Sequence, residues 1–462
     1  MAVSKVTLNN DTLMDITDTT AEASDVASGE YFYTAAGVKT SGTSSGGGPV
    51  DVDEKDVNFY DYDGTRLYSY TAAEAQALSA LPANPSHTGL TAQGWNWTLA
   101  EIKAQLTAMG GYVNVGQHYV TSSGDTEIDT VFDDPDYLSP CLYVGVNGTV
   151  VVDWGDETPT STLTGTSLTT LKGISHTYAS IGKYTIKLTV SSGQIKFWSN
   201  GHPGVLKYSS DSNYWNNSIY AQTITAVRTG SNALIGKSAF AYCLNLETIT
   251  IPTNAFTSDC DAMFQCACKL KFVVISSGIT QLLANSFNSC GSIKNVSIPS
   301  SVTSFGNSVF NVCTALENIT FPSGLTEIGT SVFYNCRSIR NIIMPSGITA
   351  VPKTCCYYCS GMRELVISSN VTTIADNAFT GPFGVEILTI PASVTSIGAG
   401  GFGALYGTKE IHFKGTVPPT LTSTSISNVR SSCVIYVPTG YLSAYTSAQY
   451  YPSSSTYTYV EE

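Results

Sequence analysis

A phenylalanine returns at fixed intervals through the second half of this 462-residue chain, and that interval constrains the fold more than any other feature. The position of Phe240 recurs as Phe264, Phe287, Phe310, Phe333, Cys356, Phe379 and Phe402, with one spacing of 24 residues and six of 23. Counted from Phe240, the unit reads F-x-x-C-x-x-L-x-x-I-x-I-P. A second element, [VIL]-T-x-[ILFV], follows it, from Ile279-Thr280-Gln281-Leu282 to Val394-Thr395-Ser396-Ile397. A unit this short holds extended segments and a turn, and it buries no apolar face alone. Stacked at ~4.8 Å, the units gain a continuous sheet and a shared core.

Side chains alternate along a strand. Leu246, Ile249 and Ile251 therefore point inward, and Thr248 and Thr250 outward. The outward rows supply the candidate ligand-facing residues: Thr248, Thr250, Asn295, Ser297, Asn318, Thr320, Asn341, Glu364, Glu410 and His412. Ordinary solvated strand residues are the plainer reading of the same rows. One outward position is charged in all eight units (Glu247, Lys271, Lys294, Glu317, Arg340, Arg363, Glu386 and Lys409), mostly with neighbours of opposite sign. It reads as a lateral ladder that keeps register, at roughly 0.2–1 kcal/mol per pair.

Cys243, Cys290, Cys313, Cys336 and Cys359 share one repeat position, which Ala267, Pro382 and Leu405 fill elsewhere. Replacement by apolar residues points to buried thiols rather than disulfides. Cys266-Ala267-Cys268 and Cys355-Cys356-Tyr357-Tyr358-Cys359 match no firm zinc spacing and have no histidine near them. No metal ligand, cofactor or catalytic residue is assigned. The chain has no nucleophile elbow and no phosphate loop, and its five histidines lie in different segments, so a non-enzyme is expected.

Residues 236–415 resemble the BspA-type leucine-rich-repeat family, on the pattern above. Phe413 to Tyr450 resembles that family's terminal cap, which makes 416–462 a C-terminal cap whose tail frays or docks onto a neighbouring subunit. The aromatic-rich stretch 194–235 reads as connector and N-terminal cap, with Ile224 and Val227 in a first capping strand.

Upstream, residues 131–193 read as a β-sandwich. Val152 to Thr160 (VDWGDETPT) and His176 to Val190 (HTYASIGKYTIKLTV) resemble a PKD domain, which implies a spacer or binding module. Asp153 and Asp156 are read as Asx-turn residues holding a hairpin, before any cation or catalytic role. Residues 55–130 form a small α+β module. Thr71-Ala72-Ala73-Glu74 and Thr98-Leu99-Ala100-Glu101 are capping boxes opening two helices, and Trp95 and Trp97 are expected in packing against the second. Residues 44–54 are a Gly/Ser-rich linker. Residues 1–43 resemble a short repeat of phage tail proteins (TLMDITDTT…SGEYFYTAAGVKTSGT), which implies attachment or oligomerisation. The fold class is thus mainly β and multidomain, a PKD-like sandwich followed by a solenoid of 23-residue units.

Charged residues make up 12% of the chain, the net charge is −13, and no basic block occurs, which speaks against nucleic acid. No apolar run is long enough for a membrane helix, and Met1 to Asn10 shows no apolar signal region. These features favour a phage tail-associated fibre or receptor-binding protein, located in the virion. Its expected partners are other tail proteins, through the N-terminal region, and a host surface glycan or protein; a homo-oligomer is expected. The alternatives are a BspA-type adhesin of the bacterial surface and an architectural virion protein with no ligand.

Overall fold

The computed structural model describes residues 56–109, 112–199, 205–208 and 219–462, together with four short strands nearer the N-terminus. Those four pair antiparallel in two ladders, Lys5–Leu8 with Asp11–Asp15 and Tyr31–Tyr33 with Lys39–Ser41. They belong to a unit, Met1–Lys55, separate from the compact unit Asp56–Glu462.

The solenoid forms as the repeat requires. Its coils are numbered here from the one that carries Thr248–Thr250, so the sixth carries Glu364–Val366 and the seventh Ile387–Ile390. The strands pair in parallel and in register, as in Phe272 with Asn295 and Asn341 with Glu364. The second element forms its own ladders, Gln281–Leu282 with Ser304–Phe305 and Thr373–Ile374 with Ser396–Ile397. Inside, the repeat phenylalanines stack face to face: Phe264, Phe287, Phe310 and Phe333 lie 5.4 to 5.7 Å apart, with ring planes within 16° of parallel. Each ring fills the gap beneath its neighbour, so the ladder is one continuous packed column.

The repeat cysteines are buried free thiols, as their apolar replacements predict. The thiols of Cys290, Cys313, Cys336 and Cys359 each donate to the carbonyl of the phenylalanine of the preceding coil, at 3.0 to 3.1 Å. Burial pushes the Cys313 thiol up to about 12, so it stays protonated and unreactive. Each corner is turned by two left-handed residues, two before and two after the phenylalanine. Around Phe310 these are Ser308 and Val312, with φ of 57° and 59°. That region is costly for a β-branched residue. It aims the Val312 N–H at the Tyr334 carbonyl of the next coil, 2.8 Å away.

Upstream of the solenoid, the strands expected in the sandwich belong to one sheet, antiparallel up to Ile224–Arg228, that runs into the repeats. Its strand order is Ser161–Ser175, Pro140–Asp153, Gly182–Phe197, Thr126–Phe132, Ile224–Arg228, and then Thr248–Thr250 of the first coil. Gly182–Phe197 is long enough to cap both sides: its start pairs with Thr126–Phe132 and its end with Ala233–Ile235. Thr126–Phe132, placed with the module by sequence, is thus the strand that seals the capping strand Ile224–Arg228. One apolar core runs from Ile128 and Trp154 through the coils to Tyr445. Asp153 and Asp156 accept from the Gly155 and Thr158 amides, the Asx turns expected, and His176 closes on Asp156 at 2.7 Å while stacking on Trp154.

At the far end, Val434–Val437 adds a ninth strand. The tail does not fray: Thr458–Glu461 pairs in parallel with Val434–Val437 as a further coil. The helix Leu442–Ser447 covers the apolar end, with Tyr445 donating to the Gly415 carbonyl at 2.6 Å.

The α+β module has a sheet ordered Arg66–Tyr70, Val57–Tyr60, Val113–Thr121, Leu90–Trp95, and helices Ala72–Ala77 and Leu99–Met109. Both capping boxes close: Glu74 and Thr71 exchange bonds of 2.8 and 3.2 Å, and Glu101 and Thr98 bonds of 2.7 and 3.2 Å. Trp95 packs edge-on to Phe59, and Trp97 enters the small core beneath the second helix.

Candidate functional site

The outward face of the solenoid strands divides into two halves, because the module lies on the first. Thr250, Ser297, Asn318 and Thr320, read from sequence as facing a ligand, are buried under residues of the same chain. The Ser297 hydroxyl donates to the Asn96 side-chain oxygen at 2.9 Å and to the Asn114 carbonyl at 2.6 Å, while the Thr320 hydroxyl accepts from the Asn114 amide at 2.9 Å. Thr248 and Asn295 sit half-buried at the margin of this contact. Small polar residues suit these positions because the module's backbone comes close. A methyl group on Gly116 would stand 2.5 Å from a Val274 methyl and 3.0 Å from the Ser297 Cβ.

The module reads the solenoid backbone along a single row. The Ile251 carbonyl accepts from His118 Nδ1 at 2.8 Å, and the Ile275 carbonyl from the Asn96 amide at 3.1 Å. The Ile298 carbonyl accepts from the Trp97 indole at 2.9 Å, and the Phe321 carbonyl from the Gln105 amide at 2.7 Å. Gln105 also accepts from the Ser323 amide at 2.8 Å, so its side chain is clamped at both ends. At the edge, Glu101 accepts from Ser300. Burial raises the Glu101 carboxyl, but the bonds from Ser300 and Thr98 outweigh it and hold the group below its ordinary value.

His118 is the most consequential of these. It is fully buried, its Nδ1 faces a carbonyl, and its Nε2 has no partner. The carbonyl selects the tautomer with the proton on Nδ1. Burial pushes the imidazole down to about 4, against a smaller opposing effect of the Ile251 carbonyl. The ring is therefore neutral at physiological pH.

Beyond the fourth coil the face opens. Asn341, half-buried, marks the edge, where its amide reaches the Tyr112 hydroxyl at 3.5 Å. Glu364 is exposed, and beside it Val366 and Ile387 keep 42% and 57% of their surface in solvent. Glu410 and His412 are half-buried in a network with the chain's last residue. His412 Nε2 lies 3.1 Å from Glu410, its Nδ1 lies 3.1 Å from Glu462, and Lys414 reaches Glu462 at 2.5 Å. The His412 ring stacks flat on Tyr436, with centroids 4.3 Å apart. The candidate residues thus form no single site: four are sealed, three lie at margins, Glu364 stands on the open half, and Glu410 and His412 pair two coils further on.

Neighbouring members of the charged ladder pair. Lys271 meets Glu247 at 2.8 Å, Lys294 meets Glu317 at 3.6 Å, and Lys409 meets Glu386 at 2.7 Å. These side chains are largely exposed, so the pairs set register more than they stabilise.

Sequence reasoning missed Asn96, Trp97, Gln105, Asn114 and His118 as partners of the solenoid. The available signal was on the other side of the contact. Phe272 and Val274 stand at outward positions, and an apolar pair in an outward row implies a cover. In the structure both are buried, with Tyr60 packed on Phe272 at 5.1 Å between centroids.

The family model described as the BspA type leucine rich repeat region matches residues 158–292 and 280–409, more than half of the chain. Among solved structures, a leucine-rich repeat protein from Bacteroides ovatus is similar at 17% identity and a TM-score of 0.39, over 54% of this chain and 68% of its own. A leucine rich cell surface protein from Faecalibacterium prausnitzii is similar at 19% identity and a TM-score of 0.25, over 50% of this chain and 70% of its own. The pneumococcal vaccine antigen PcpA is similar at 11% identity and a TM-score of 0.22, over 58% of this chain and 89% of its own. No curated protein matches.

Proposed function

The chain belongs to the BspA-type leucine-rich-repeat family, and from that premise we propose that it is a non-enzymatic surface adhesin that binds through the open half of its solenoid face. Repeat proteins of this type are cell-surface proteins. The observation that carries the binding reading is the contrast within one face: the module seals the first four coils, while Glu364, Val366 and Ile387 stay open to solvent. Exposed apolar residues on a rigid sheet, beside a charge, are the composition of an interaction surface. The test is adhesion of beads coated with the full-length chain to host cells. Val366→Asp with Ile387→Asp is expected to abolish adhesion, and unchanged adhesion contradicts the reading.

A second reading, a tail-associated fibre anchored by residues 1–43, is favoured by one observation: the four short strands described near the N-terminus pair with one another within a separate unit, Met1–Lys55. Antibody labelling decides between them, marking the bacterial surface in the first case and phage particles in the second.

A further inference from the structure

We propose that the open face over the fifth to seventh coils docks a second polypeptide, one that grips the solenoid as the module grips the first four coils. The proposal rests on the binding reading above and names the class of partner.

Ile251, Ile275, Ile298 and Phe321 hold one position in four successive coils, and each carbonyl accepts an N–H from a module side chain. The next two residues in that row are Met344 and Ile367, and among the described residues the module side chains that grip the row, His118, Asn96, Trp97 and Gln105, stop short of them. At the seventh coil the row closes on itself, because the Lys414 amide donates to the Ile390 carbonyl at 3.0 Å. The unread stretch is therefore two carbonyls long and begins where the module ends.

The outward rows divide in the same way. Phe272 and Ile387 occupy the same outward position in their coils, and Val274 and Val366 share the next one. The first of each pair is sealed by the module, at 1% and 4% exposure, whereas Ile387 and Val366 are open. One chain thus carries two apolar outward pairs and covers only one of them.

The open stretch offers acceptors, two carbonyls and the exposed Glu364 carboxylate, bordered by the charged row of Arg340, Arg363 and Glu386. Its occupant must bring N–H donors set among apolar groups, as Asn96, Trp97 and Gln105 do in the module. A polypeptide edge bearing asparagine, glutamine or tryptophan meets that requirement, and an acidic surface does not.

The test uses the full-length chain and a fluorescent synthetic peptide of residues 90–109, which carries those three donors. Anisotropy is expected to show saturable binding, weakened by at least about tenfold in the Val366→Asp, Ile387→Asp chain. A peptide with Asn96→Leu, Trp97→Phe and Gln105→Leu keeps apolar surface, loses the donors, and is expected to bind at least about tenfold more weakly. Absence of saturable binding, or binding indifferent to either set of changes, overturns the proposal. So does a glycan that binds the parent chain and is lost from the double variant. Adhesion that depends on Val366 and Ile387 without peptide binding refutes the polypeptide occupant alone. Peptide binding without adhesion refutes the adhesin reading alone.

Discussion

The two halves of the solenoid face share a backbone and differ in what lies on them. Coils one to four present small polar residues, Thr250, Ser297 and Thr320, wherever the module's strand Val113–Thr121 comes close. They present apolar residues, Phe272 and Val274, where it packs. Coils six and seven present a carboxylate and two open aliphatic side chains, Glu364, Val366 and Ile387. The lesson is that a repeat position has no fixed role. The repeat sets where a side chain points, and a distant segment decides whether that direction means solvent or core.

The contrast breaks most severely at Trp97. Trp97→Ala removes a ring from the module core together with its bond to Ile298, and is expected to cost about 3–5 kcal/mol in the module's cooperative unfolding. Urea denaturation followed by Trp95 fluorescence measures it, and a loss below about 1 kcal/mol denies the clamp.

Next in size is the effect of acid on His118. Its imidazole has an ordinary value of 6.5 and is pushed down to about 4 in the fold. Between those values the unfolded chain binds a proton that the folded chain refuses. The contribution of His118 to stability is therefore present in full above about pH 6.5, falls as pH drops towards 4, and levels off below. The loss is about 3 kcal/mol. His118→Phe does not titrate, so its stability should fall less across that window. Equal slopes in the two proteins would remove His118 from the account.

Gly116→Val tests the close approach of the two backbones. The added methyls meet Val274 and Ser297, and overpacking of this kind costs about 1–3 kcal/mol. Faster hydrogen exchange is expected in residues 113–121 and 272–274, with no change in 387–390. The smallest effect is on the open half: Ile387→Thr should shift stability by no more than about 0.5 kcal/mol, and a larger loss would mean that residue is already covered.

The repeats were legible because a period announces itself. Phe240 and its counterparts, the shared cysteine position and the inward Ile249 and Ile251 all stand where the spacing puts them. The capping boxes were legible because Thr71 with Glu74, and Thr98 with Glu101, act within one helical turn. The module's place on the solenoid was not. Asn96 and Ser297 lie 201 residues apart, and no local pattern links them. The left-handed corners were hidden for another reason: Ser308, Val312, Asn335 and Gly381 all adopt that backbone, so composition does not mark it. The fusion of the upstream sheet with the first coil was also unreadable, because Gly182–Phe197 looks like any strand pattern until its two ends find different partners.

Carbene footprinting of the native full-length chain tests the central claim most directly, by reading solvent contact side chain by side chain. The account predicts heavy labelling of Val366 and Ile387 and almost none of their counterparts Val274 and Phe272. Equal labelling of the two pairs would contradict it.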